Sequence, residues 1–270
     1  MRGSRTERLI RTVSRFLSFP SKQISLTQLA EIFKVSKTVV SDDVSIIDKA
    51  FAIEGMGGIT VDRGRTGGAS FIPDISSEYR LKMLKSIVSK LSSPDRVLPG
   101  GLIYYGDILF DPQFVLPLGM IMASMFKNAE ADIVLTTEVK GIPLALFTAH
   151  YLGVPLGVCR FRNRASDGSA VTVHYPATNG DVRAMYLGTR ILSRGDNVVI
   201  IDDFMRGGST ASGMELVTKE FGAKLAGTAF FMTTSLPEKK VISSYRSLLR
   251  LEGSAKDPRI ILCEDQQYDL

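Results

Sequence analysis

Cysteine and histidine are both scarce: two of each occur in 270 residues. Cys159 and Cys263 each sit in an apolar, strand-like stretch, and their spacing fits neither a zinc site nor a redox motif. A reduced, cytoplasmic protein is expected. His150 falls in a helical pattern and His174 in a strand pattern, with no neighbouring ligand set. Both read as packing or surface residues, and no metal site is expected. No Ser-His-Asp or Cys-His arrangement is present either, so no catalytic residue is nominated. No apolar run reaches about 18 residues without charge, the length a membrane-spanning helix needs. No membrane partner is therefore expected. Arginines at positions 2, 5, 8, 11 and 15 are spaced like the polar face of a helix, and no apolar signal-peptide stretch comes after them.

A hydrophobic fraction of 44% supports real cores, and the length suits one α/β domain with a small accessory domain. The net charge of +5 says less than its distribution. Residues 1–41 hold eight Lys or Arg against two Glu. Such a patch attracts phosphates and makes their binding salt-dependent.

Within that basic segment, residues 5–18 suit an amphipathic helix carrying Leu9, Ile10, Val13, Phe16 and Leu17, and Phe19-Pro20 ends it. A short helix begins at Ser25–Glu31, capped by Ser25 or Thr27. Lys34-Val35-Ser36 is a tight turn, and a further helix runs from about Lys37 to Phe51, burying Val40, Val44 and Ile47. Two short helices across a three-residue turn make a helix-turn-helix unit. Its second helix would meet DNA through Ser36, Lys37, Thr38 and Ser41, with Ser36 also able to cap the helix. Strands at 59–62 and 69–72 flank the basic loop Arg63–Gly68. This is a wing whose Arg63 and Arg65 would touch DNA backbone or minor groove. A small helical domain that docks on protein is the alternative.

Residues 77–92 form another amphipathic helix, either a linker or an outer element of the larger domain. Beyond it, helices at 114–127, 141–152 and 210–221 alternate with strands at 131–136, 154–160, 198–203 and 225–232. That alternation implies a parallel sheet with helices on both faces. Met120, Met122 and Met125 read as core or subunit contact. The expected division is 1–74 for the DNA-binding unit and 75–270 for the α/β unit.

Ligands of such sheets sit beyond the strand carboxyl ends, where three motifs lie. In Val198–Thr210 an apolar run ends in Asp202 and Asp203, succeeded by Phe204, Met205, Arg206, Gly207, Gly208, Ser209 and Thr210. The carboxylates suit ribose hydroxyls, and the backbone amides of 206–210 suit a phosphate at a helix start. Thr136-Thr137-Glu138-Val139-Lys140-Gly141 lies between another strand and helix and could bind a diphosphate; Lys140 could equally be an ordinary surface lysine. Arg160, Arg162 and Arg164 precede a hairpin at Val171–Tyr175 and could serve a diphosphate or DNA.

Val198–Thr210 resembles the phosphoribosyl diphosphate signature of the type I phosphoribosyltransferases, over about residues 95–265. The whole chain is similar to the purine operon regulators of Gram-positive bacteria, the PurR family. Thr136–Pro143, Arg160–Arg164 and Ile201–Thr210 carry the likeness. The resemblance implies an N-terminal winged helix joined to a phosphoribosyltransferase-like α/β domain, a homodimer on double-stranded DNA at purine gene control sites, and RNA polymerase as a further partner. It implies 5-phosphoribosyl 1-diphosphate as effector, with Mg²⁺ as a companion ion and no obligatory cofactor. Asp202 and Asp203 would meet the ribose, 206–210 the 5-phosphate, and 137–141 the diphosphate, often through a non-proline cis peptide. Many purine transferases have Ala-Thr-Gly-Gly-Thr where this chain has Arg206-Gly-Gly-Ser-Thr210, and no aromatic clamp for a base comes after residue 230. Phosphate binding should survive this, and catalysis should not. Both signs of control occur in the family, and activation is the expectation here. A purine phosphoribosyltransferase with a regulatory N-terminal domain is the competing reading.

Overall fold

The computed structural model describes residues 4–62, 64, 67–177, 180–254 and 257–263. Its N-terminal part comprises α1 (Arg5–Ser18), β1 (Ile24–Ser25), α2 (Leu26–Phe33), α3 (Lys37–Ile53), β2 (Gly57–Val61) and β3 (Gly68–Pro73). The three strands form an antiparallel sheet in the order β1-β3-β2. Each helix starts where a serine can satisfy an orphan amide. Ser4, Ser25 and Ser36 accept from the N–H groups of Glu7, Gln28 and Val39. Phe16, Leu29, Phe33, Val40, Val44, Ile47 and Phe71 make a common core.

The N-terminal arginines depart from the expected polar face. Arg8 is buried and donates to Asp43 Oδ2 at 2.8 Å, with Arg5 on the other oxygen at 3.3 Å. These pairs clamp α1 to α3. Arg11 and Arg15 lie over the Phe33 ring. Much of this basic stripe therefore holds the module together, because a buried carboxylate on α3 must be neutralised.

The larger part begins with α4 (Ser77–Leu91), a 3₁₀ turn at Pro94–Arg96, and a hairpin of β4 (Val97–Leu98) and β5 (Leu102–Ile103). Next come α5 (Gly106–Leu109), α6 (Pro112–Met125), β6 (Ile133–Thr137), α7 (Ile142–Leu152) and β7 (Leu156–Cys159). A second hairpin, β8 (Ala170–Pro176) and β9 (Val182–Gly188), precedes β10 (Asn197–Met205) and α8 (Ser209–Glu220). The last elements are β11 (Lys224–Thr234), β12 (Arg246–Ser254) and β13 (Asp257–Leu262).

Six strands form the central sheet in the order β13-β12-β11-β10-β6-β7. Its pairs are parallel except for β12 with β13, which is antiparallel. Strand β10 is central and buried on both faces, which is why it reads as an unbroken apolar run. Alternate residues serve opposite cores. Val199 and Ile201 pack with α4, α6 and α7 residues. Val198 and Ile200 pack with the β8–β9 hairpin and α8. Met122 is wholly buried, and Met120 and Met125 nearly so.

The two parts touch along one seam. Ser21 Oγ donates to the Tyr151 carbonyl at 2.7 Å, and Lys127 pairs with Asp74 at 2.6 Å. Gly153, at the end of α7 with φ +70°, lies so close to Pro20 that an added Cβ would sit 2.9 Å from its carbonyl oxygen.

Candidate functional site

Strands β6 and β10 are neighbours in the sheet, so the loops at their carboxyl ends open at the same rim. The loop after β6 carries Glu138, Val139, Lys140 and Gly141. The loop after β10 carries Arg206, Gly207 and Gly208 and leads into α8 at Ser209. Asp202 stands between them. Its Oδ2 accepts from Thr137 Oγ1 at 2.9 Å and its Oδ1 from Thr136 Oγ1 at 3.3 Å. Gly141 is there because nothing larger fits: a Cβ would lie 2.1 Å from Asp202 Oδ1. Burial, and then the neighbouring Asp203, raise the Asp202 pKa far above the usual carboxylate range.

The 206–210 segment wraps a cavity of about 220 Å³ lined by Asp202, Phe204 through Ala211, and Phe230. Ser209 and Thr210 open helix α8, whose first amides have no partner within the helix and favour an anion. Phe204 is half-buried and Arg206 exposed. The Met205 side chain packs with Ala211, Phe230 and Ile242, so the backbone is what Met205 can offer a ligand.

Glu138 is engaged with β7 and its continuation. It pairs with Arg160 at 3.2 Å and accepts the Phe161 N–H at 3.0 Å. The Glu138–Val139 peptide is cis, and Val139 is 66% exposed. Arg160 thus stands beside the loop, while Arg162 and Arg164 are exposed further along. Ser36, Lys37, Thr38 and Ser41 are exposed at the start of α3, with the Ser36 hydroxyl engaged as the helix cap. Arg63 and Arg65 lie outside the described residues.

Residues 4–73 match the family model described as bacterial purine repressor, N-terminal, and residues 106–265 match the phosphoribosyl transferase domain. The purine biosynthesis transcriptional repressor PurR of Bacillus subtilis is 34% identical, over 93% of this chain and 88% of its own length. The purine biosynthesis transcriptional activator PurR of Lactococcus lactis is 34% identical, over 92% of each. The chain belongs to the PurR family. A solved adenine phosphoribosyltransferase from Thermoanaerobacter pseudethanolicus superposes with a TM-score of 0.54 at 18% identity, covering 62% of this chain and 99% of that one. That likeness gives the fold of the larger part. A PurR family member thus combines the winged N-terminal unit and the phosphoribosyltransferase-like sheet found here.

Two side chains at this PurR site escape motif reading. Tyr105, just before α5, donates its hydroxyl to Asp203 Oδ2 at 2.6 Å. Lys240 donates to the carbonyls of Arg206 at 2.6 Å and Thr234 at 2.8 Å, and the Val241 N–H reaches the Gly207 carbonyl. Burial, then Arg206, lowers the Lys240 pKa. Both partnerships join residues distant in sequence or set on separate loops.

Proposed function

We propose that this chain is a DNA-binding transcriptional regulator of purine biosynthesis and salvage genes, with 5-phosphoribosyl 1-diphosphate as its effector. It works in the cytoplasm as a homodimer and activates transcription in contact with RNA polymerase. Its DNA-binding unit is residues 1–74 and its effector unit 75–270. The observation that carries this reading is the convergence of the 138–141 loop, the Asp202–Asp203 pair and the 206–210 cradle at one sheet rim. Asp202 and Asp203 receive the ribose hydroxyls, the amides of 206–210 receive the 5-phosphate, and the loop from Thr137 to Gly141 receives the diphosphate, with Arg160 behind it. Arg162 and Arg164 are further cations for the diphosphate or DNA. Mg²⁺ would rest chiefly on the diphosphate itself, since among the described residues no three His, Cys, Asp or Glu cluster as metal ligands. Ser36, Lys37, Thr38 and Ser41 meet the DNA, joined by Arg63 and Arg65.

Transferase activity is the second reading, supported by the carboxylate pair and both loops. Against it stands the cradle sequence, Arg206-Gly207-Gly208-Ser209-Thr210, where many purine transferases have Ala-Thr-Gly-Gly-Thr. The test is retardation of a purine-gene promoter by the protein, with and without the diphosphate, beside a turnover assay on purine bases. Asp203→Ala should weaken ligand binding about tenfold or more while basal DNA binding stays. Lys37→Ala should do the reverse. Absence of sequence-selective retardation, or turnover at ordinary enzyme rates, defeats the proposal.

A further inference from the structure

Among the described residues, Tyr105 is a side chain that contacts both the Asp203 carboxylate and the lysine of the 138–141 loop. The residue is 9% exposed, and its ring packs near Phe204 and Phe231, with centroids 6.1 and 6.0 Å away. Its hydroxyl holds Asp203, and the Lys140 ammonium lies 5.1 Å from its ring centroid. The segment that carries it is braced from outside. Arg96 makes a two-pronged pair with Asp107, at 2.8 and 2.7 Å, and also donates to the Tyr104 carbonyl at 2.9 Å. The phenol is therefore presented at a fixed place.

The chemistry of the site gives this placement a purpose. Two adjacent carboxylates at a sheet rim repel, and one of them, Asp202, is buried. The phenol gives Asp203 a hydrogen-bond donor, while burial, then the charge of Asp203, raises the pKa of Asp202. Burial, then the charge of Asp203, raises the phenol's own pKa, so it stays a donor. A carboxylate has two oxygens; holding Oδ2 fixes the direction in which Oδ1 faces. The same ring seats Lys140 through the attraction of a cation to an aromatic face.

We infer that Tyr105 is the positioning residue of the ligand site, orienting Asp203 for the ribose through its hydroxyl and Lys140 for the diphosphate through its ring. The inference rests on the ligand proposed above, which its test separates from it. Full-length wild type, Tyr105→Phe and Tyr105→Leu are titrated calorimetrically with 5-phosphoribosyl 1-diphosphate and with ribose 5-phosphate. Tyr105→Phe should lose roughly tenfold in affinity for both ligands, as loss of a bond to a charged group implies. Tyr105→Leu should lose more, and the additional loss should appear with the diphosphate ligand alone, since the ring acts through Lys140. Thermal melts and promoter retardation serve as controls on folding. Wild type that binds ligand, with a Phe variant of equal affinity, overturns the role of Tyr105. Wild type that binds neither ligand removes the site itself, and the inference with it.

Discussion

Asp202 is a carboxylate in a place that suits a carboxylic acid. Both its oxygens accept threonine hydroxyls, yet burial and Asp203 raise its pKa well above the normal range. The consequence for stability has a definite sign. A group whose folded pKa lies above its unfolded one contributes in full at pH values below the unfolded pKa. That contribution falls away as pH rises through the folded one. The ligand-free protein should therefore lose stability between about pH 4, the ordinary carboxylate value, and mildly alkaline pH. Asp202→Asn cannot ionise and should flatten that loss, melting above wild type at alkaline pH with little gain at pH 4. Melting curves over this range check it; parallel curves for the two proteins would refute the assignment.

Helix α7 shows how an element can be tied to a site by its first turn. Gly141 precedes it, within van der Waals reach of Asp202 and Thr136. Gly141→Ala must push the loop or the carboxylate aside. We expect a destabilisation of about 1–3 kcal/mol, as for overpacking elsewhere, and a larger proportional loss of ligand affinity, measured by denaturant titration and calorimetry on one sample. Helix α7 itself was legible in the sequence, as were α8 and the strands β6, β10 and β11, because buried parallel strands and their helices leave apolar runs bounded by glycine and hydroxyl residues. The edge was not: β12 and β13 pair antiparallel, and their mixed segments carry no clean period of burial. The β4–β5 hairpin escaped because strands of two residues are too short to show any period. At the site, the contiguous motifs could be read, but Tyr105 could not. Its partner Asp203 lies 98 residues away, and nothing in Tyr-Tyr-Gly-Asp marks which neighbour it will meet. The arginine stripe misled in the same way, since Asp43 lies 35 residues beyond Arg8.

At the scale of the molecule, the N-terminal module and the sheet domain share a seam at Ser21–Tyr151, Pro20–Gly153 and Asp74–Lys127. The first two contacts fall at the far end of α7 from the proposed ligand loop. Ser21→Ala paired with Lys127→Ala should leave the affinities for DNA and for ligand, each measured alone, within about threefold of wild type. Surface polar contacts contribute only about 1 kcal/mol or less. The same pair should shrink the effect of the diphosphate on promoter retardation. Retardation titrations at fixed ionic strength, with and without ligand, read both quantities; an undiminished ligand effect would mean that the seam carries none of it.

Helix α7 has 11 residues, roughly 16 Å of rod at 1.5 Å per residue, with the loop proposed for the metabolite at one tip and the N-terminal module at the other. Whatever factor the sugar diphosphate imposes on promoter affinity, the promoter must impose on sugar diphosphate affinity. A copy seated on its operator and a copy adrift in the cell would then respond at two different metabolite concentrations, so that one polypeptide carries two set points.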